Sequence, residues 1–138
     1  MKKYLVFVTA AFLGACSTTK QFDVESAILG SWEFTHNSRC HEVYTFAAQG
    51  LLVTKHGDQI NQGKYVLTAV PNEHGRYKID GVDLTSKGLG CNGKSHNSLN
   101  VAYSFYVQFH PNYPDQMVIN YEASSPDGFG PLNRVAKP

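Results

Sequence analysis

Residues 99–110 read Leu-Asn-Val-Ala-Tyr-Ser-Phe-Tyr-Val-Gln-Phe-His. Leu99, Val101, Tyr103, Phe105, Val107 and Phe109 occupy alternate positions, against Asn100, Ala102, Ser104, Tyr106, Gln108 and His110. Side chains of a strand point to opposite faces with a period of two, so this run predicts a strand with one buried face. A helix would scatter the same six residues around its circumference. Pro111 and Pro114 end the run, because proline cannot donate to a ladder.

The same period continues in both directions. Downstream, Met117, Ile119, Tyr121 and Ala123 make the next strand, Ser124 to Gly130 a loop, and Leu132 to Ala136 the last strand. Upstream, Trp32 and Phe34 alternate with Glu33 and Thr35. Cys40, Glu42, Tyr44 and Phe46 then share a face opposite His41, Val43 and Thr45. Gln49-Gly50 turns the chain into Leu51 to Thr54, and His56-Gly57-Asp58 turns it again. Gly63 to Thr68 places Tyr65 and Leu67 on one side, and Tyr77 and Ile79 follow the Pro71 to Gly75 turn. Residues 85–98 form a polar, glycine-rich loop around Cys91. Before the first strand, Asp23 as N-cap and Gly30 as stop bracket a short helical turn.

The chain has 138 residues, one domain's length, with 42% hydrophobic and 17% charged residues. Eight Tyr, eight Phe, twelve Gly and six Pro against two Met favour short strands and turns. About eight antiparallel strands with short connections and no helical crossover predict an all-β, up-and-down barrel, which leaves no exposed edge. A two-sheet sandwich is the alternative. A formal charge of +1 is too small for an electrostatic nucleic-acid binder, and no nucleic-acid partner is expected.

The first sixteen residues carry an address. Lys2 and Lys3 precede an uncharged, mostly apolar run from Tyr4 to Leu13. A spanning helix needs about 20 residues, so this shorter run reads as the core of a signal peptide. Leu13-Gly14-Ala15-Cys16 resembles the lipobox of bacterial lipoproteins. The resemblance implies cleavage before Cys16 and acylation of that cysteine, palmitate included, which anchors the protein to a membrane. It divides the chain into a signal peptide over 1–15, a lipidated cysteine and tether over 16–27, and a barrel domain over 28–138. Ser17 after the cysteine resembles outer-membrane sorting in a Gram-negative envelope, with the barrel on the periplasmic or surface side. Cleavage removes two lysines and no acid, so the formal balance falls from +1 to −1.

Cys40 and Cys91 then remain in an oxidising compartment. Two thiols allow a single intramolecular pairing, so a Cys40–Cys91 disulfide is expected. The alternative is a reactive Cys40 thiolate beside His41.

Ile28-Leu29-Gly30-Ser31-Trp32 places a Gly-x-Trp at the head of the first strand, and Gly130-Pro131-Leu132-Asn133-Arg134 lies near the end. This combination resembles the lipocalin-like (calycin) barrels. The resemblance implies that Trp32 stacks under Arg134, a cation–π contact that plugs one end. The Cys40 to Phe46 stretch and Gly63-Lys64-Tyr65 look like small bacterial lipocalin-like lipoproteins. The chain is shorter than a typical lipocalin, so a small or aromatic-filled cavity is expected, and the fold alone does not fix a ligand.

Other motifs point to no chemistry. Gly88 to Ser95 matches the phosphate-binding pattern G-x-x-x-x-G-K-[ST], but a strand follows it where a helix is needed, so it reads as a loop. Six histidines (His36, His41, His56, His74, His96 and His110) make no H-x-H or H-x-x-x-H pair. His36 and His41 flank the first hairpin turn near Glu42, yet no spacing predicts a zinc set, and no metal is expected. No G-x-S-x-G elbow is present, and Asp58, Asp80, Asp83 and Asp127 read as turn or outward positions. No catalytic residue and no cofactor are therefore expected.

The aromatic residues are more informative. Tyr44, Phe46, Tyr65, Tyr77, Tyr103, Phe105, Phe109 and Tyr121 either fill a core or line a pocket. A buried tyrosine hydroxyl needs a partner that a dry core does not offer. Tyr44, Phe46, Tyr65, Tyr103 and Phe105 are the expected walls of a site for a small apolar or amphipathic ligand, bound without catalysis. The alternative is a protein-interaction module, an envelope assembly factor or an inhibitor of a hydrolase, acting through loops 85–98 and 124–131 and through exposed Tyr106 and Phe129. An internal cavity of a few hundred Å3 is the feature that separates the two.

Overall fold

The computed structural model describes residues 22–37 and 39–137. The signal peptide, Cys16 and the first part of the tether lie outside the described residues. The described residues begin with a helix cap. The Asp23 carboxylate accepts from the Ser26 backbone N–H at 3.1 Å and from its hydroxyl at 2.7 Å. This caps helix α1 (Val24–Ile28), which carries the residues read as the end of the tether. Val24 and Ile28, one turn apart, are its buried residues.

Eight strands follow: β1 (Gly30–Asn37), β2 (Cys40–Ala47), β3 (Leu51–His56), β4 (Gln59–Leu67), β5 (Tyr77–Lys87), β6 (Ala102–Phe109), β7 (Gln116–Asn120) and β8 (Phe129–Ala136). They close a barrel in chain order, each antiparallel to its neighbour. β8 returns to β1 with Trp32 opposite Arg134. The sandwich alternative is thereby excluded. Up-and-down order puts alternate connections at opposite ends. One end holds α1, and the other, the mouth, holds the β1–β2 and β3–β4 turns and the long loop 88–101.

The α1 end is filled. Ile28, Trp32, Phe46, Leu52, Ile79, Val107, Met117, Ile119 and Leu132 form a fully buried apolar cluster. The Arg134 guanidinium lies 4.0 Å from the Trp32 ring centroid. Its terminal nitrogens donate to the Ala27 and Leu29 carbonyls at 2.6 and 2.5 Å, and its Nε donates to Asp115 at 2.7 Å. The Trp32 indole donates to the Ile28 carbonyl at 2.8 Å. A five-residue helix cannot persist alone. Here its C-terminal carbonyls, otherwise unpartnered, receive donors from the first and last strands.

The mouth is tied down. A disulfide joins Cys40, at the start of β2, to Cys91 in loop 88–101, with Cα atoms 5.5 Å apart. Gln59, 3% exposed, clamps the same loop. Its amide donates to the His96 carbonyl at 2.6 Å and accepts from the His96 N–H at 3.2 Å. The Gly88 to Ser95 segment is a turn in which Gly93 and Gly90 bond to Gly90 and Lys94, and no helix follows it.

Three boundaries differ from the sequence pattern. β6 begins at Ala102, since Asn100 takes a left-handed φ of 59° and donates to the Asp83 carbonyl at 2.8 Å. Leu99 and Val101 therefore leave the ladder and are 40% and 57% exposed. β7 ends at Asn120, and Tyr121 lies beyond it. β8 begins at Phe129, inside the stretch read as a loop, with Phe129 opposite Ile119 and packed on the core.

Candidate functional site

Above the filled half, the interior changes character. Phe34, Tyr44, Tyr103 and Phe129 pack only partly buried against the core. A half-open cavity of about 210 Å3 lies among Tyr44, Leu52, Thr54, Asp83, Tyr103, Phe105 and Tyr121. The Tyr103 and Phe105 rings are near-parallel, 18° apart at 6.1 Å, and Tyr44 stands at 62° to Phe105 at 6.3 Å.

Tyr103 is placed by a glycine. Gly81 is its cross-strand partner on β5, and the phenol ring lies flat over it. A Cβ at position 81 would stand 2.5 Å from that ring, so Gly81 leaves the space the tyrosine occupies. The Tyr103 hydroxyl is buried and meets no acceptor in good hydrogen-bond geometry among the described residues, although the Asp83 carboxylate stands close enough to interact with it. Burial first, and then the nearby Asp83 carboxylate, push its pKa well above the usual phenol range. Asp83 itself is 6% exposed and accepts a short hydrogen bond from the Ser98 hydroxyl. It is not the outward residue that the sequence suggested.

Tyr44 has a different partner. Its hydroxyl donates to Glu42 Oε2 at 3.1 Å. Burial, then the charge of Glu42, raise its pKa far above the ordinary value. Tyr121 stands at the rim, its pKa raised by burial and by Glu42. The cavity thus presents aromatic walls, phenol side chains and the Asp83 carboxylate, with Glu42 behind Tyr44 at the neighbouring depression.

Of the five residues expected to form the walls, the structure brings Tyr44, Tyr103 and Phe105 together. Phe46 is buried in the filled half, edge-on to Tyr65 at 5.3 Å. Tyr65 lies at the α1 end beside Glu25, its hydroxyl 3.4 Å from the Ala47 carbonyl, and lines a separate open depression. Barrel strands are tilted and staggered, so residues on the same face of neighbouring strands stand at different heights. Periodicity reports the face and not the height. Asp83 completes the cavity wall, and Glu42 supports it through the Tyr44 hydroxyl. Glu42 was visible as the one acid alternating with Cys40, Tyr44 and Phe46. Asp83 also falls on the alternation of Tyr77, Ile79 and Gly81, but Gly81 carries no side chain to extend that face, so the acid read as an outward one.

No family model, no curated protein and no solved structure matches this chain.

Proposed function

We propose that this barrel is a non-catalytic binding module for a small amphipathic molecule, displayed in the cell envelope on a lipid attached to Cys16. The observation that carries the reading is the half-open cavity walled by the Tyr44, Tyr103 and Phe105 rings and Leu52, with the buried Tyr103 hydroxyl set in its wall. A poorly satisfied buried donor is costly, by roughly 1–3 kcal/mol when it has no partner at all, and a small ring movement that brings the hydroxyl to a ligand acceptor relieves that cost. The cavity volume is below the roughly 300–1,000 Å3 of drug-sized sites, so the ligand is of fragment size. An apolar body fits against the rings, with an acceptor towards Tyr103.

The family reading is lipocalin-like. It is supported by the closed eight-stranded barrel and by the Trp32–Arg134 stack at its plugged end. Membrane attachment rests on the lipobox at residues 13–16 and sorting to the outer membrane on Ser17. Incorporation of labelled palmitate, abolished by Cys16→Ser, is the expected result for that part.

Native mass spectrometry of the soluble form beginning at Ser17, with its disulfide intact, tests the pocket. The expected result is an added mass that vanishes on denaturation and is absent from a folded Tyr103→Ala variant. A bare mass after incubation with a lipid and metabolite extract would overturn it in favour of the protein-interaction module.

A further inference from the structure

The second oxygen of Glu42 faces a different group of residues. His36 Nε2 lies 2.7 Å from Glu42 Oε1, and His56 Nε2 lies 3.7 Å from the same oxygen. His36 is near the end of β1, Glu42 is on β2 and His56 ends β3, so three consecutive strands deliver them to the mouth. All three line an open depression of about 480 Å3, walled on one side by the Cys40–Cys91 disulfide. His41, which the sequence set beside His36, is on the other face of β2, where its ring bonds to Glu33.

We propose that His36, Glu42 and His56 form a binding site for a divalent transition metal of the zinc class, with its remaining coordination position open to the depression. Two imidazoles and one carboxylate are a donor set that zinc accepts, and the imidazole nitrogens suit copper and nickel as well. Zinc–ligand distances of about 2.0–2.2 Å put adjacent donor atoms roughly 3–3.5 Å apart at a tetrahedral angle. The two separations to Glu42 bracket that range. The His36 and His56 ring centroids are 6.3 Å apart, and the three ligand atoms do not converge as closely as those of Cys40, His56 and Cys91, so binding needs the His56 ring, about two-fifths exposed at the end of β3, to swing towards Glu42 while His36 stays in place.

The supporting residues are also in place. Tyr44 donates to Glu42 Oε2, which leaves Oε1 for the metal and fixes the carboxylate plane. Phe34 packs edge-on against the His36 ring at 4.6 Å and limits its rotation. Arg39 also lines the depression and opposes a cation there. Its place on the exposed β1–β2 turn keeps that charge in solvent, where it is screened.

Cys40, Cys91 and His56 make a competing set, since their ligand atoms lie within 4.8 Å of one another. Sulfur in a disulfide is not a thiolate and does not serve as a ligand of this kind. The proposed site therefore belongs to the oxidised protein. The two sets are separable by experiment.

The test titrates Zn2+ by equilibrium dialysis, and Co2+ by visible absorption, into the disulfide-intact protein beginning at Ser17. The proposal expects one ion per chain, with a cobalt spectrum lacking sulfur-to-metal charge transfer. Glu42→Gln and His56→Asn should each weaken binding at least ~10-fold, while His41→Asn binds as the unaltered protein does. Thermal unfolding of each variant confirms that it is folded. Absence of binding, or equal weakening by His41→Asn, overturns the proposal. So does binding that appears only after a dithiol opens the disulfide and carries a thiolate charge-transfer band, since that assigns the ion to Cys40, Cys91 and His56.

Discussion

Tyr103 shows how a single atom sets opposing demands on fold and site. Its ring closes the gap over Gly81, so the side chain contributes packing, while its hydroxyl is left without an acceptor in good geometry. Tyr103→Phe keeps the ring and deletes the poorly satisfied donor. Urea unfolding of the ligand-free protein should show this variant more stable by about 1 kcal/mol, with weaker retention of the bound mass. Gly81→Ala drives a methyl group into the ring, and overpacking of this kind costs about 1–3 kcal/mol. Both Tyr103 and Tyr44 have raised pKa values, with burial as the first cause. Folding then protects their protons, so stability is complete below the unfolded-chain value of 10.0 and is lost as pH rises above it. The raised pKa of Tyr44 gives a slope of at most about 1.4 kcal/mol per pH unit from that residue, read by urea unfolding from pH 9 to 11. Tyr44→Phe should flatten it.

At the scale of elements, α1 and loop 88–101 are each held by tertiary bonds more than by their own sequence. Arg134 reaches the helix through two carbonyls and the indole through its face. Arg134→Lys keeps the charge and loses the planar fork, so it is not a conservative change here. It should destabilise the protein by about 2–3 kcal/mol, with faster amide exchange concentrated in α1. For the loop, the Cys40→Ser/Cys91→Ser double variant removes a cross-link spanning 51 residues. The chain-entropy model puts its worth at roughly 4 kcal/mol. Exchange should quicken across 88–101 first, because hydrogen bonds with Gln59, Asp58, Ser86 and Asp83 are then what holds that segment.

For the molecule as a whole, the barrel was legible because apolar residues recur at alternate positions in strands such as β1, β4 and β6, and alternation is written in the sequence. What failed to show was local backbone conformation and relative height. Leu99 and Val101 continue the pattern on paper, yet the left-handed turn at Asn100 takes them out of the sheet. Phe129 sits among Gly128, Gly130 and Pro131, residues that signal a loop, yet it pairs with Ile119 and enters the core. The site was half legible for the same reason. Tyr44, Tyr103 and Phe105 come together, but Phe46 and Tyr65 share their face at another level. His56 gave no sign at all, because its approach to His36 and Glu42 depends on the register of β2 against β3, which sets Glu42 opposite His56.

The pairing of β1 with β8 has a consequence for how the chain acquires its shape. Arg134 bonds to backbone atoms 105 and 107 positions earlier, so the plug is assembled from the two extremes of the fold. Contacts of such long range form late, after the closure entropy of nearly the whole chain has been met. A chain emerging from its N-terminus holds Trp32 uncovered until its final segment arrives. Stopped before β8, it is no smaller barrel but a curled sheet with two raw edges, β1 and β7, open to any strand that meets them.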